Sequence, residues 1–369
     1  MGLVLTVDLA RVAFTRFTVS PEATPEATAP PGAGTTADRT TGAGRWIGGE
    51  RPIGFPATQI VPSWTARTPP GTWIEVALRA RTASGDLTKW YVMGRWSEHG
   101  RPRTSVPGQG DEDGDVAVDT FVARRPVTAY QVRITGHGAG ALVTGLGVMA
   151  SALPRQPPPP SAPGPGGAVE LAVPPFSQHA HAGHHPRYDG GGANWCGPAS
   201  VAMVLAFWGR GPAPDELAWV GDGDPAPAVD HAAAGTYDES YQGTGNWPFG
   251  VAYAGRFGLA GFVTRLRSAA ELERFVRAGI PVITSQSFKA HELPGSRYST
   301  NGHILVVTGF TAGGDVVVND PAAPDAEVRR VYPRAAFEHV WLRSSGSGGI
   351  AYVLHPADIT LPPSTDGNW

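Results

Sequence analysis

A proline- and glycine-rich run at residues 153–168, with four consecutive prolines at 157–160, divides this chain into two parts. Proline fixes φ and lacks a backbone donor, so such a run favours an extended polyproline II spacer over a helix or a central strand. We therefore predict a linker between an accessory domain at 46–152 and a second domain at 169–369. Residues 1–45 precede them as an N-terminal strand and a Pro/Ala/Thr-rich segment that we expect to be mobile.

Short stretches of alternating apolar and polar residues, separated by turn residues, fill the first part at 73–80, 90–96, 119–122 and 129–135. This pattern is typical of an antiparallel β-sandwich, and we predict an all-β domain. Four tryptophans could stack on a carbohydrate or belong to the core: Trp64, Trp73, Trp90 and Trp96. The acidic run Asp111–Asp115 resembles the start of a calcium loop, but its twelfth position is Val122, so a solvated acidic turn is the alternative.

Cys196, the single cysteine, stands where a helix should begin. Pro198 suits the first helical turn, apolar residues follow at helical spacing, and Gly209 can end the helix. A thiol at a helix N-terminus meets the positive end of the dipole, which favours the nucleophilic thiolate. Cys196 is therefore a candidate nucleophile, with a small buried apolar residue as the alternative.

His303 stands at the start of a predicted strand, and a turn at 311–314 joins that strand to a second one ending at Pro321. Antiparallel pairing about this turn brings His303 near Asn319 or Asp320. An imidazole oriented by a side-chain acceptor is the partner that a thiol nucleophile needs. The residues alone leave two alternatives open, namely a strand-end histidine bonded to backbone and an Asx turn before Pro321.

These motifs, Cys-Gly-Pro-Ala-Ser before an apolar helix, Gly-His-Ile-Leu-Val-Val-Thr-Gly and Val-Asn-Asp-Pro, resemble the C39-like papain-fold cysteine peptidases over about 170–356. The resemblance implies an α+β fold with N-terminal helices packed on an antiparallel sheet. It also implies that Cys196 is the nucleophile, His303 the general base and acid, and Asp320 the residue that orients His303. Gln178 would supply a side-chain donor to the oxyanion, although it lies unusually far from Cys196 for this family.

The sequence therefore predicts a thiol-dependent hydrolase acting on a peptide or protein amide, without a cofactor or metal. A transglutaminase-like acyl transferase and a non-catalytic binding protein on the same fold are the alternatives. Four clustered histidines could bind a transition metal, but no acidic ligand follows at fixed spacing, so we interpret them as a solvated loop: His179, His181, His184 and His185.

Composition and charge limit the classes of partner that we expect this chain to bind. The net charge of −3 gives no electrostatic reason to expect nucleic acid as a partner, and no run reaches transmembrane length. The chain begins without the basic and long apolar regions of a signal peptide. The family resemblance nevertheless suggests secretion or a cell-surface location, with a carbohydrate or cell-surface ligand for the sandwich.

Overall fold

The computed structural model describes residues 9–19, 34–38, 43–221 and 223–369, and organises them around two antiparallel sheets. The parts of the Pro/Ala/Thr-rich segment at 20–33 and 39–42 lie outside the described residues, so its mobility stays a prediction. Residues 34–38 and 43–47 pair with each other as strands.

Among the described residues, the N-terminal sheet contains nine strands: β1 (Arg11–Phe17), β2 (Gly34–Asp38), β3 (Ala43–Ile47), β4 (Arg51–Arg67), β5 (Trp73–Thr82), β6 (Tyr91–Trp96), β7 (Gly114–Ala117), β8 (Thr120–His137) and β9 (Leu142–Ala152). The prediction of a β-rich N-terminal region is therefore confirmed. However, the strands form one hydrogen-bonded sheet and not two unconnected ones. The strands form a single sheet because β4 and β8 are long enough to pair with several neighbours. Strand β8, for example, pairs with β3, β4, β5 and β7 along its length.

The C-terminal sheet contains seven strands, in which β11, β16, β12, β13, β14 and β15 are successive neighbours and β10 pairs with β13. Their bounds are β10 (Val169–Glu170), β11 (Ala260–Arg265), β12 (Val282–Phe288), β13 (Thr300–Phe310), β14 (Val316–Asn319), β15 (Arg329–Tyr332) and β16 (Ile350–His355). The central strands are rich in buried Val, Ile and Leu, as expected of a sheet covered on both faces.

In the part of the chain that the structure describes, six α-helices accompany this sheet: α1 (Cys196–Phe207), α2 (Pro214–Leu217), α3 (Pro227–Thr236), α4 (Trp247–Arg256), α5 (Ala269–Arg277) and α6 (Arg334–Leu342). The Ser268 side chain caps α5 by accepting from the Glu271 N–H. Helix α3 was not predicted, because its Ala- and Gly-rich sequence has weak apolar periodicity. No helix within the described residues is long and apolar enough to cross a membrane.

The two sheets meet through a buried interface. Trp64 of β4 is fully buried and packs edge-on against Phe249 of α4, with ring centroids 6.1 Å apart. Arg265 of β11 is also buried, and it donates to the Ser151 hydroxyl and to the Gln59 side chain on the N-terminal side. Burial lowers the pKa of Arg265 to about 10. Apolar packing and the hydrogen bonds of Arg265 thus join the two regions.

The proline-rich run is attached to the C-terminal region along part of its length. The N–H and hydroxyl of Ser161 both donate to the Glu338 carboxylate on α6, at 2.7 Å each. The Gly164 N–H donates to Glu273 on α5 at 2.9 Å. These contacts hold the chain against the helices. The domain bounds that we set from this run stay a prediction.

Candidate active site

Helix α1 presents Cys196 as its first residue. Gly209, with φ at +63°, follows the end of the helix, as the sequence predicts. Positions 197–205 are buried, which fixes α1 in the core and leaves the partly exposed Cys196 at its end. The N–H of a first helical residue has no helical acceptor, so it is available to a bound ligand.

His303 on β13 lies against Asp320, just beyond the end of β14. Both side chains are buried, and the His303 Nε2 is 2.8 Å from the Asp320 Oδ1. Since Nε2 faces the carboxylate, Nδ1 is the ring nitrogen left for another partner. Of the two acceptors that the sequence left open, Asp320 is therefore the one that contacts the histidine.

Asn319 has a different position. Its side-chain amide donates to the backbone carbonyls of Val173 and Pro174, at 3.0 and 3.3 Å. Neighbouring side chains along a strand point to opposite faces, which is why Asp320 and Asn319 cannot both reach His303. Asn319 instead holds the segment that leads to Gln178.

Two tyrosines complete the surroundings of Asp320, and sequence reasoning missed both. The Tyr298 and Tyr332 hydroxyls donate to its Oδ2 at 2.8 and 2.5 Å, and the Ala322 N–H donates to its Oδ1 at 3.0 Å. Tyr298 lies in a loop and Tyr332 ends β15, so no local motif links either of them to Asp320. A buried carboxylate with four donors is held in one orientation.

The charges in this cluster shift the pKa values of its members. Burial alone would lower the pKa of His303, but attraction to Asp320, the hydrogen bond to it and a further contribution from Cys196 raise that pKa to about 10. Burial would raise the pKa of Asp320, whereas His303 and the two tyrosine hydroxyls hold it well below its ordinary value. The pair is therefore ionised at neutral pH, with the proton on the imidazole.

Gln178 begins a short 3-10 turn, Gln178–His181, and lines the same cleft as Cys196 and His303. Its backbone N–H donates to the Pro321 carbonyl at 2.9 Å, and its side-chain amide donates to the Ala193 carbonyl. A side-chain amide has two N–H donors, so one is left for a ligand. The 3-10 turn Gly192–Asn194 packs closely here, because a Cβ on Gly192 would lie 2.3 Å from the His181 carbonyl carbon.

The cleft has a volume of about 880 Å³, and both halves of the chain line it. From the N-terminal sheet, the turn between β7 and β8 contributes Val118, with φ at +58°, and Asp119. Asp119 accepts from the Trp247 N–H at the start of α4 at 2.9 Å, which fixes the turn beside the cleft. Burial raises the pKa of Asp119 to about 6.

The histidine-rich segment between Gln178 and Cys196 differs from its prediction. His181 is fully buried, so the prediction of a solvated loop is wrong for this residue. Asp224 and Asp230 approach it from a distant part of the sequence. The sequence has no acidic residue at a fixed short spacing from these histidines. Asp224 and Asp230 reach the segment only because α3 and the residues before it pack there, which local sequence does not predict.

The other predicted ligand features have internal partners. Asp111 accepts from the Tyr91 hydroxyl and pairs with Lys89 at 3.0 Å, so an ammonium group occupies one side of the acidic turn.

Of the four tryptophans that could stack on a carbohydrate, Trp64 and Trp96 are buried in the core and cannot contact one. Trp90 has the guanidinium groups of Arg79 and Arg133 within 4.8 Å of its ring centroid. Trp73 stacks on His137 at 3.6 Å.

Comparison with known proteins matches both halves of the chain. The family model described as Peptidase C39 N-terminal domain matches residues 7–151, and that described as Peptidase_C39 like family matches residues 170–348. The crystal structure of a "putative C39-like peptidase" from Bacillus anthracis is similar to 51% of this chain and to 96% of its own chain, with 20% identity and a TM-score of 0.33. No curated protein matches the sequence.

Proposed function

We propose that this chain, which belongs to the C39-like peptidase family, is a thiol-dependent hydrolase that cleaves a peptide or related amide at Cys196. One observation carries the proposal. A cysteine at the start of a buried helix shares a cleft with a histidine that a buried carboxylate orients and keeps protonated. Family membership supports a peptidase-type activity, and the residue roles are our assignment.

In the first half of the reaction, the Cys196 Sγ attacks the amide carbonyl carbon, and the carbonyl π electrons move to the oxygen. The Cys196 N–H and the second N–H of the Gln178 amide are the proposed donors to this oxyanion. The intermediate collapses when the C–N bond breaks, and the His303 imidazolium gives its proton to the leaving amine. An acyl-thioester on Cys196 remains.

In the second half, neutral His303 takes a proton from water, and the hydroxide oxygen attacks the thioester carbon. The C–S bond then breaks, which releases the carboxylic acid and returns the thiolate, with the imidazolium beside it. Asp320 does not take a proton. It keeps Nε2 as the donor to its carboxylate and stabilises the imidazolium.

The test is peptide-library hydrolysis by the full chain and by Cys196→Ser. We expect the serine variant to lose at least 10³-fold in rate, because a hydroxyl gives no comparable anion at neutral pH. Iodoacetamide should label the wild-type protein at Cys196 alone. Far-UV circular dichroism and the thermal unfolding midpoint should be unchanged, which separates lost chemistry from lost folding.

Two results would overturn the proposal. Hydrolysis by Cys196→Ser within tenfold of wild type would remove the thiol from the mechanism. Transfer of the acyl group to an added primary amine, with little hydrolysis in its absence, would instead identify an acyl transferase. The two results are read from the same product analysis by mass spectrometry.

A further inference from the structure

A second group of histidine and aspartate side chains lies apart from the His303–Asp320 pair. One ligand atom from each of four residues falls within 4.8 Å of the others: His181, His184, Asp224 and Asp230. His181 and His184 belong to the segment between Gln178 and Cys196, Asp224 precedes α3, and Asp230 lies within α3. Two separate stretches of the chain, 181–184 and 224–230, thus converge on one point.

Several polar atoms in this group are buried without a hydrogen-bond partner among the described residues. His181 and Asp230 are fully buried, and Asp224 has a side-chain exposure of 4%. Within the described part of the chain, neither ring nitrogen of His181 has a hydrogen-bond partner, and the same holds for the Oδ2 atoms of Asp224 and Asp230. Buried polar groups are nearly always paired, so orphaned atoms that face each other call for an explanation.

The nitrogen atoms of the two histidines lie close to the oxygen atoms of the two aspartates. The His181 Nδ1 lies 2.7 Å from the Asp230 Oδ2 and 3.4 Å from the Asp224 Oδ2. The His184 Nδ1 lies 3.1 Å from the Asp224 Oδ2 and 3.2 Å from the Asp230 Oδ1. The two contacts of His181 do not have hydrogen-bond geometry, whereas the His184 Nδ1 is hydrogen-bonded to the Asp230 Oδ1. A tetrahedral ion with bonds of about 2.0 Å has ligand-to-ligand edges of about 3.3 Å. The four His–Asp separations are close to that edge, and the ligand atoms as a set, which lie within 4.8 Å of one another, would draw together when the ion binds.

We propose that His181, His184, Asp224 and Asp230 bind one divalent transition-metal ion of the zinc class. Two imidazoles and two carboxylates suit this borderline ion, whereas calcium and magnesium prefer oxygen ligands alone. Four protein ligands close a tetrahedron, which is the arrangement of a structural site and not of a catalytic one with an open position.

The ion would fasten the long segment between the two residues that meet the proposed oxyanion. His181 ends the 3-10 turn that begins at Gln178, and its ring centroid lies 6.2 Å from that of Trp195, the neighbour of Cys196. Ligation to Asp230 would tie this segment to α3, which packs against α1. The proposal concerns folding of the segment, and it stands or falls independently of the assigned catalytic roles.

The test uses the full chain without a histidine tag, loaded with Zn²⁺ and dialysed against metal-free buffer. Elemental analysis should find about one zinc per chain, and a chelator should lower the thermal unfolding midpoint by several degrees. Co²⁺ in place of zinc should give the strong visible absorption of a tetrahedral complex. His184→Gln and Asp224→Asn should each reduce the bound zinc at least tenfold.

His179→Gln is the matched control, because this exposed histidine lies in the same segment and contacts the Ala322 carbonyl instead. It should keep the zinc and the response to chelator. The proposal is overturned if the wild-type chain retains less than a tenth of an equivalent of zinc, or if His184→Gln and Asp224→Asn retain as much as His179→Gln. The zinc and cobalt measurements on the wild-type chain decide the matter even if a variant fails to fold.

Discussion

The His303–Asp320 pair and the group formed by His181, His184, Asp224 and Asp230 use the same residue types in opposite ways. Both carboxylate oxygens of Asp320 accept hydrogen bonds, from an imidazole, two tyrosines and a backbone N–H. In the second group, the Oδ2 atoms of both aspartates lack such donors among the described residues.

The contrast shows that the surroundings of a buried His–Asp contact indicate its use. A carboxylate whose lone pairs are filled by protein donors can hold a proton on its histidine and has little capacity left for a cation. Carboxylates and imidazoles that approach each other without hydrogen-bond geometry present lone pairs to a shared point. We expect the first arrangement to control proton transfer and the second to control metal content.

The same substitution in each group gives the largest test of this contrast. Asp320→Asn should lower kcat about 10²- to 10⁴-fold, since it removes the negative charge that keeps His303 protonated and allows the amide to turn its NH2 group toward the ring, while zinc content stays at the wild-type level. Asp230→Asn should lose the zinc with a smaller loss of activity. Steady-state kinetics and elemental analysis on the same samples provide both readouts. Equal loss of zinc and activity in the two variants would mean that the groups form one functional unit.

The pH profile sharpens the role of the first pair. His303 must carry a proton to give to the leaving amine, so kcat/KM in the wild-type protein should fall as pH rises through about 10. In Asp320→Asn the charge that raises this pKa is gone and burial remains. The alkaline limb should therefore move at least two pH units toward the ordinary histidine value of about 6.5.

Asp189→Asn is the control for that shift. Asp189 lines the same cleft but accepts from Thr244, so its amide variant should keep the alkaline limb near the wild-type position. If the limb of Asp320→Asn stays near pH 10, Asp320 is not the group that holds the proton on His303.

The smallest expected effect concerns stability. Tyr332→Phe removes a buried donor to Asp320 and should lower the free energy of unfolding by about 1–3 kcal/mol at neutral pH. The hydrogen bond depresses the folded-state pKa of Asp320, so its stabilisation is present above the unfolded pKa of about 3.9. The stabilisation is lost as pH falls through the folded pKa. Denaturant unfolding of both proteins between pH 7 and 2 should therefore show a difference that stays constant above about pH 4 and shrinks only toward the acid end, as pH approaches the low folded-state pKa of Asp320.

Tyr352→Phe is the matched variant, because the hydroxyl of Tyr352 is buried but has no hydrogen-bond partner within the described ranges. Its loss should cost little or nothing at any pH in that range. A Tyr332→Phe difference that does not change on acidification would show that the tyrosine acts through packing and not through Asp320.

Local sequence signals located most of the candidate site. Pro198 and Gly209 mark the two ends of α1, and the turn at 311–314 sets the pairing that brings His303 toward Asp320. Each of these signals acts over fewer than about twenty residues, which is the range in which turn and helix-end chemistry decides the backbone.

The parts that sequence could not predict depend on contacts between distant segments. Tyr298 and Asp230 meet their partners only after the sheet and α3 have packed. The single N-terminal sheet arises in the same way, because β4 and β8 pair with several strands across register shifts that no alternation pattern reports. Helix α3 itself is stabilised by close packing, since a Cβ on Gly235 would lie 2.3 Å from the Tyr253 ring.

The β7–β8 turn beside the cleft has a consequence for how this chain can be shortened. Removing the N-terminal sheet would take away the Asp119 acceptor of the Trp247 N–H, uncover Phe249 and leave Arg265 without two of its acceptors. A fragment that holds only the C-terminal sheet would therefore expose part of its apolar core and leave the Arg265 guanidinium with fewer acceptors. Because Val118 and Asp119 line the cleft, substitutions in this turn would reshape one wall of it while α1 and β13 stay unchanged.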